Sequence, residues 1–284
     1  MAGSSAMENG CVLGLIAGGG RLPFLVAEGA RAAGLRVICV GIAGAVDRSL
    51  AREVDVFHPV AIARLGSWIR KLRRYGVTTT IMVGKVSKKD MFTPWRILRF
   101  LPDWRAVRIY HWRLRNRDRL SATFLDAIAD ELASGGIILE DSTMYCKEHV
   151  TTGGLITGTP PKPSIERDIE FGWDLVRKLA DLGIGQALAV REKEVIAVEA
   201  IEGTAEMIKR AGQLCRSGGW TLLKAAKPDQ DMRMDVPCVG PDTITSLAEM
   251  GGTCLVLEAN RTIIIDKPQT VALAARLGIT IIGR

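Results

Sequence analysis

The 284 residues suffice for one large domain or two modest ones, and 48% apolar with 24% charged residues exclude a disordered chain. A net charge of +7 favours anionic partners (nucleic acid, acidic lipid, phosphorylated small molecules) without choosing among them. Six scattered cysteines with no C-x-x-C pair argue against a disulfide framework or a zinc site, and no apolar run reaches the roughly 18 residues of a membrane span. The opening residues lack a basic stretch followed by a long apolar one, so no secretory signal is read and reduced thiols in the cytoplasm are expected. Met1–Gly10, small and polar, reads as a loose tail.

In chain order, Val12–Ala17 is a short apolar strand ending in Gly18-Gly19-Gly20. Leu22–Ala33 has helical spacing and is closed by Gly34. Arg36–Ile42, Asp55–Phe57 and Thr79–Val83 are further strands, with a helix over Ala61–Tyr75. This rhythm predicts a Rossmann-like parallel sheet covered by helices. Met91–Arg119 differs: Phe92, Trp95, Phe100, Trp104, Tyr110 and Trp112 are spread among eight arginines. Ser121–Ala133 reads as a helix capped by Ser121, and Ile137–Leu139 as a strand.

Gly153–Ser164 is rich in glycine, proline and threonine and reads as a linker. It divides the chain into an N-terminal domain, 1–155, and a second α/β domain, 156–284. The second domain is expected to open with a helix over Ile165–Leu182. A hairpin of Gln186–Arg191 and Val195–Glu199 follows, then a helix over Gly203–Arg216. Trp220–Ala225, Cys254–Leu257, Thr262–Ile265 and Thr280–Ile282 are strands; Thr243–Met250 and Pro268–Leu277 are helices.

Glycines between a strand and a helix let backbone amides approach an anion, which makes Gly18, Gly19 and Gly20 candidate phosphate contacts. The spacing is not G-x-G-x-x-G, and no acid ends the second strand to hold a ribose; a structural turn competes on equal terms. Gly84-Lys85, with Lys88 and Lys89, falls at the carboxyl edge of the same sheet, where such folds bind ligands; an exposed lysine cluster is the alternative. The Arg/aromatic stretch suits a membrane interface or nucleic acid, against a plain pair of surface helices. His58, His111 and His149 lack metal-ligand spacing, and no G-x-S-x-G nucleophile occurs.

The densest chemistry lies in LLKAAKPDQDMRMDVPCVGPDTI, which carries Lys224, Lys227, Asp229, Gln230, Asp231, Arg233, Asp235 and Asp242 between prolines. Carboxylates there can hold Mg²⁺ or orient water, while Lys227 and Arg233 neutralise a pyrophosphate. Strand-like alternation would set Asp231, Arg233 and Asp235 on one face. A second cluster supplies Gln186, Glu199, Glu202, Gly203, Thr204 and Arg210; Thr204 begins a helix where its hydroxyl and amide can face an anion, against an ordinary strand end with Thr204 as a helix cap.

G-L-I-A-G-G-G-x-L-P, D-x-G-x-G-Q with V-x-A-V-E-A-I-E-G-T, and K-P-x-Q-D-x-R-x-D-V-P-x-x-G-x-x-T-I occur in this order. In them the chain resembles the LpxI family of UDP-2,3-diacylglucosamine pyrophosphatases over Val12–Gly283. The resemblance implies two domains with a ligand cleft between them. It implies Mg²⁺-assisted attack of water on UDP-2,3-diacylglucosamine, releasing UMP and 2,3-diacylglucosamine 1-phosphate (lipid X) for lipid A biosynthesis. Asp235, in R-x-D-V-P, corresponds to the essential aspartate, as metal ligand or base, with Asp231 as a second metal ligand. Lys227, Gln230 and Arg233 support them; Gly18, Gly19, Gly20, Gly84, Lys85, Gln186, Glu202, Gly203 and Thr204 contact substrate. One departure is Ala205, where relatives often carry aspartate. A basic protein with an Arg/Trp surface can work cytoplasmically, peripheral to the inner membrane; nucleic acid is not expected as a partner, and oligomeric state, a homodimer included, is left open. An NAD(P)-dependent oxidoreductase and a non-catalytic binder of anionic membrane or nucleic acid are the competing readings.

Overall fold

The computed structural model describes residues 11–86, 102–115, 121–228, 231–234 and 236–284. It divides into two compact units, residues 1–146 and 147–284.

The first unit is a parallel sheet of β1 (Val12–Ala17), β2 (Arg36–Ile42), β3 (Val56–Val60), β4 (Thr79–Val83) and β5 (Ile138–Leu139). Their spatial order is β3-β2-β1-β4-β5, that of a doubly wound fold. β1 and, past the exposed Arg36, β2 are apolar throughout because both faces are covered. One face packs on α1 (Leu22–Ala32), which buries Leu25, Val26 and Ala30. The other meets α2 (Leu65–Arg73), α3 (Trp104–Arg115) and α4 (Ser121–Ser134). There Ile16, Ile38, Val40, Trp68, Leu72 and Leu132 share one core. Asp55 is not in β3; its carboxylate accepts the Val37 amide at 2.8 Å.

The second unit is a mixed sheet in the order β6-β13-β11-β9-β7-β8. Its strands are β6 (Gly154–Thr157), β7 (Ala187–Arg191), β8 (Glu194–Val198), β9 (Trp220–Lys224), β11 (Gly252–Leu257) and β13 (Thr280–Gly283). A separate parallel pair joins β10 (Cys238–Val239) to β12 (Ile263–Ile264). The two-residue period of a strand sorts the core. Ala187, Ala189, Leu222, Leu255 and Leu257 face α6 (Thr204–Leu214), α7 (Pro241–Glu249) and α8 (Lys267–Arg276). Leu188, Val190, Leu223, Cys254 and Val256 face α5 (Pro163–Asp181). Burial pushes the Cys39 and Cys254 thiols up to about 12, so both act as small hydrophobes. The Gly153–Ser164 stretch, expected as a linker, lies inside this unit: it supplies β6, antiparallel to β13, and the start of α5. No helix among the described residues is long and apolar enough to cross a membrane.

The β7–β8 turn places Glu192 and Lys193 at φ 53° and 61°, a two-residue hairpin connection usually made with Asn or Gly. Buried Asp168 of α5 compensates by accepting the Glu192 and Lys193 amides at 3.0 and 2.7 Å. Asp168→Ala is expected to cost about 2–3 kcal/mol, since two amides lose a charged acceptor. Adding Lys193→Gly should recover part of it by relieving the left-handed backbone. Denaturant midpoints of the single and double variants check both.

Candidate active site

In the first unit, the chain reverses direction of winding between β1 and β4, and the residues after both strands meet there. The Gly18 amide donates to the Val83 carbonyl at 2.8 Å, and Gly19 and Lys85 exchange two backbone bonds, each 2.8 Å. A Cβ at Gly18 would stand 2.8 Å from the Gly84 carbonyl carbon; one at Gly84, where φ is 100°, would stand 2.7 Å from that of Gly18. These glycines therefore let two loops touch. The Gly18 and Gly19 amides, candidate phosphate contacts in the sequence, both donate within the protein. Gly20, at φ 93°, sits beyond this bridge at the start of α1, and the exposed Lys85 is the adjacent cation. Lys88 and Lys89 lie outside the described residues.

In the second unit, the ends of β8, β9 and β11 and the start of β7 share one edge. The Glu199 amide bonds the Ala187 carbonyl at 2.9 Å, Ala225 bonds Gln186 at 3.0 Å, and Glu258 bonds Lys224 at 3.1 Å. Gly185 permits the closest approach, since a Cβ there would lie 1.9 Å from the Glu199 carbonyl oxygen. This packing gathers Gln186, Glu199, Lys224 and Glu258 from strands distant in sequence.

Lys224 is 5% exposed. Its ammonium donates to Thr204 Oγ1 at 2.9 Å and stands 3.6 Å from Glu199 Oε2. Thr204 in turn donates to Glu199 Oε1 at 2.7 Å. Glu199 Oε2 is buried and accepts no hydrogen bond. Thr204 thus does not cap α6. The cap is Gly203 at φ 88°, with no side chain over the first-turn amides, which leaves that positive end of the helix open. Glu202 accepts from Arg210 at 2.7 Å and from the Ala200 amide at 3.2 Å, which fixes the turn before α6.

The loop after β9 leaves from this edge. Glu258 accepts the Ala226 amide at 2.7 Å, and Arg261 donates to the Lys227 and Pro228 carbonyls at 2.6 and 3.1 Å. Glu258 and Arg261 were missed in the sequence; a charged pair just past the apolar β11 was the available signal. Asp231–Met234 is a turn, as suits a run bracketed by prolines, and lacks the strand-like alternation considered above; the Met234 amide closes it on the Asp231 carbonyl at 3.1 Å. Arg233 folds back on Asp231, donating from Nε at 2.9 and 3.1 Å and from Nη2 at 2.7 Å. That guanidinium holds the Asp231 carboxyl below the usual carboxylate range. Gln230 and Asp235 lie outside the described residues, as does Asp229.

Hard carboxylate donors suit Mg²⁺. Both Asp231 oxygens are nevertheless engaged by Arg233, and among the described residues no group of three His, Cys, Asp or Glu is placed to hold a metal ion. The described residues alone do not form such a site. They do bring cations on the loop after β9 and open amides at the α6 N-terminus, groups that stabilise charge on a phosphoryl oxygen.

The LpxI N-terminal domain family matches residues 12–149, and the LpxI C-terminal domain family matches residues 152–282. The chain is 31% identical over 279 residues to the UDP-2,3-diacylglucosamine pyrophosphatase LpxI of Caulobacter vibrioides, covering 95% of this chain and 96% of that protein.

Proposed function

Because the chain belongs to the LpxI family, we propose that it hydrolyses the pyrophosphate bond of UDP-2,3-diacylglucosamine in lipid A biosynthesis. Water adds to one phosphorus, the bridging P–O bond breaks, and UMP and 2,3-diacylglucosamine 1-phosphate leave. The observation that carries this reading is the Lys224–Thr204–Glu199 cluster, which anchors the V-x-A-V-E-A-I-E-G-T motif to the end of β9, the strand that leads into the K-P-x-Q-D-x-R-x-D-V-P motif.

In this reading the open α6 N-terminus and the cations of the β9 loop, Lys227 and Arg233, bind the diphosphate and offset the charge that builds on it. Gln186, Glu202, Gly203 and Gln230 position the substrate. Gly20 and Lys85 offer a second anion contact at the edge of the first sheet, with Gly18, Gly19 and Gly84 shaping it. Asp235 is the proposed base or metal ligand. Mg²⁺ dependence belongs to the proposal, with Asp231 joining as ligand once released by Arg233; the cation would supply charge neutralisation at the phosphoryl group. Ala205 withholds a carboxylate from the α6 N-terminus that relatives often carry there. Work at the cytoplasmic face of the inner membrane, as a peripheral protein, follows from the acylated substrate.

The test is UMP release from UDP-2,3-diacylglucosamine, with Mg²⁺ or chelator. Turnover is expected for the metal-supplied wild type, and a loss of about a hundredfold or more for Asp235→Ala. Full activity of that variant removes the catalytic assignment; full activity in chelator removes the metal. An inactive wild type under every divalent cation removes the function.

A further inference from the structure

The first unit carries a cationic groove that the hydrolytic site does not use. Gly66, Ile69, Arg70, Arg73, Arg74 and Arg105 line a cavity of about 520 Å³. Positions 66, 69, 70 and 73 recur at three- and four-residue spacing, so they form one stripe along α2. At Gly66 the Asp103 carboxylate occupies the space a side chain would take, and Ile69, 4% exposed, lines the groove beneath the arginines.

The acids nearby are already engaged. Asp103 accepts the Gly66 amide at 2.6 Å and the Ala106 amide at 3.1 Å. Buried Glu131 is bound by both Arg105 and Arg108, and Arg105 also donates to Ser134 Oγ at 2.9 Å. Among the described residues Arg70, Arg73 and Arg74 have no acidic partner. The positive field is felt at His58, whose imidazole burial, Lys71 and Arg74 together hold below its usual range.

α3, which lends Arg105 to the groove, also exposes Trp104 (79%) and, one turn on, Val107 (37%) on its solvent side. An exposed indole on the helix adjoining a row of guanidiniums suits a boundary between phosphate and hydrocarbon. A single-stranded nucleic acid would ask for a longer cationic track and several stacking rings; valine offers no stacking.

We propose that Arg70, Arg73 and Arg74, together with the exposed Trp104 of the adjoining helix, dock this protein on the headgroups of anionic phospholipids. The proposal rests on the reading above that the substrate is an acylated lipid, and it names the face that meets the bilayer. The guanidiniums bind phosphodiester oxygens in forked pairs, and Trp104 enters the headgroup layer.

The full chain is sedimented with vesicles of phosphatidylcholine alone or mixed with phosphatidylglycerol. Wild type is expected on the anionic vesicles only. Arg70→Gln/Arg73→Gln/Arg74→Gln is expected to lower partitioning about tenfold or more, and Trp104→Ala a few-fold. The triple variant should melt like wild type and hydrolyse detergent-dispersed substrate at the wild-type rate. Equal partitioning of wild type and triple variant overturns the proposal. So does equal binding to neutral vesicles, saturable binding of inorganic phosphate without vesicle binding, or retention on RNA without vesicle binding. Vesicle binding needs no turnover, so loss of partitioning in the triple variant would stand even if the hydrolase reading failed.

Discussion

Lys224→Met is expected to lower the stability of the second unit by about 3–5 kcal/mol, because it leaves the Glu199 carboxylate buried without a counter-ion. The methionine fills similar volume, so packing changes little. Thr204 would lose the donor at 2.9 Å, and Glu199 would keep only the Thr204 hydroxyl at 2.7 Å. Adding Glu199→Gln removes the stranded charge and should restore more than half of the loss, a non-additivity expected of residues in contact. Urea midpoints read the stability. UMP release then separates two roles for the lysine. A double variant that is folded and active makes Lys224 a structural counter-ion only. A double variant that is folded and inactive makes the ammonium part of the diphosphate site. Recovery below a tenth of the loss would contradict the pairing itself.

Gly84→Ala is expected to cost about 3 kcal/mol in the first unit, from a left-handed backbone at an L-residue plus overpacking of the two loops. The residue sits at φ 100°, and the new methyl would stand 2.7 Å from the Gly18 carbonyl carbon and 2.9 Å from the Gly19 oxygen. Both neighbours are backbone and cannot rotate away. Gly44→Ala is the control: its φ is 87°, yet nothing lies within 4 Å of the new carbon. It should cost only about 1 kcal/mol, the conformational part alone. Calorimetry of the two variants isolates the contact. Similar melting temperatures would mean that the bridge between β1 and β4 yields more easily than its bonds imply.

The strands of the first sheet were readable because each is a short apolar run bounded by glycine or polar residues: Val12–Ala17, Arg36–Ile42 and Thr79–Val83 stand where the pattern puts them. Local pattern failed where a distant partner decided the outcome. Thr204 looked like a helix cap, yet its hydroxyl is claimed by Glu199 and Lys224, the latter 20 positions on. Asp231 and Arg233 looked like neighbours on a strand face; a charge-assisted bond between them closes a turn instead. Gly18 and Gly19 read as an anion loop because glycine before a helix has that use, but contact with Gly84 and Lys85 is equally able to demand them. β6 was hidden because four residues among turn formers show no period, and its identity comes wholly from pairing with β13. The family's motifs were legible as letters; the burial of the Lys224 ammonium against Glu199 and Thr204 was not.

That late pairing bears on how the polypeptide matures at the ribosome. Thr159, just past β6, bonds the side chain of Thr280, which lies 121 positions later. At about 5–20 residues per second, the early segment waits roughly 6–24 seconds for the strand it will join. During that interval the nascent sheet offers an unzipped border, and chaperone capture of stalled chains should be strongest there.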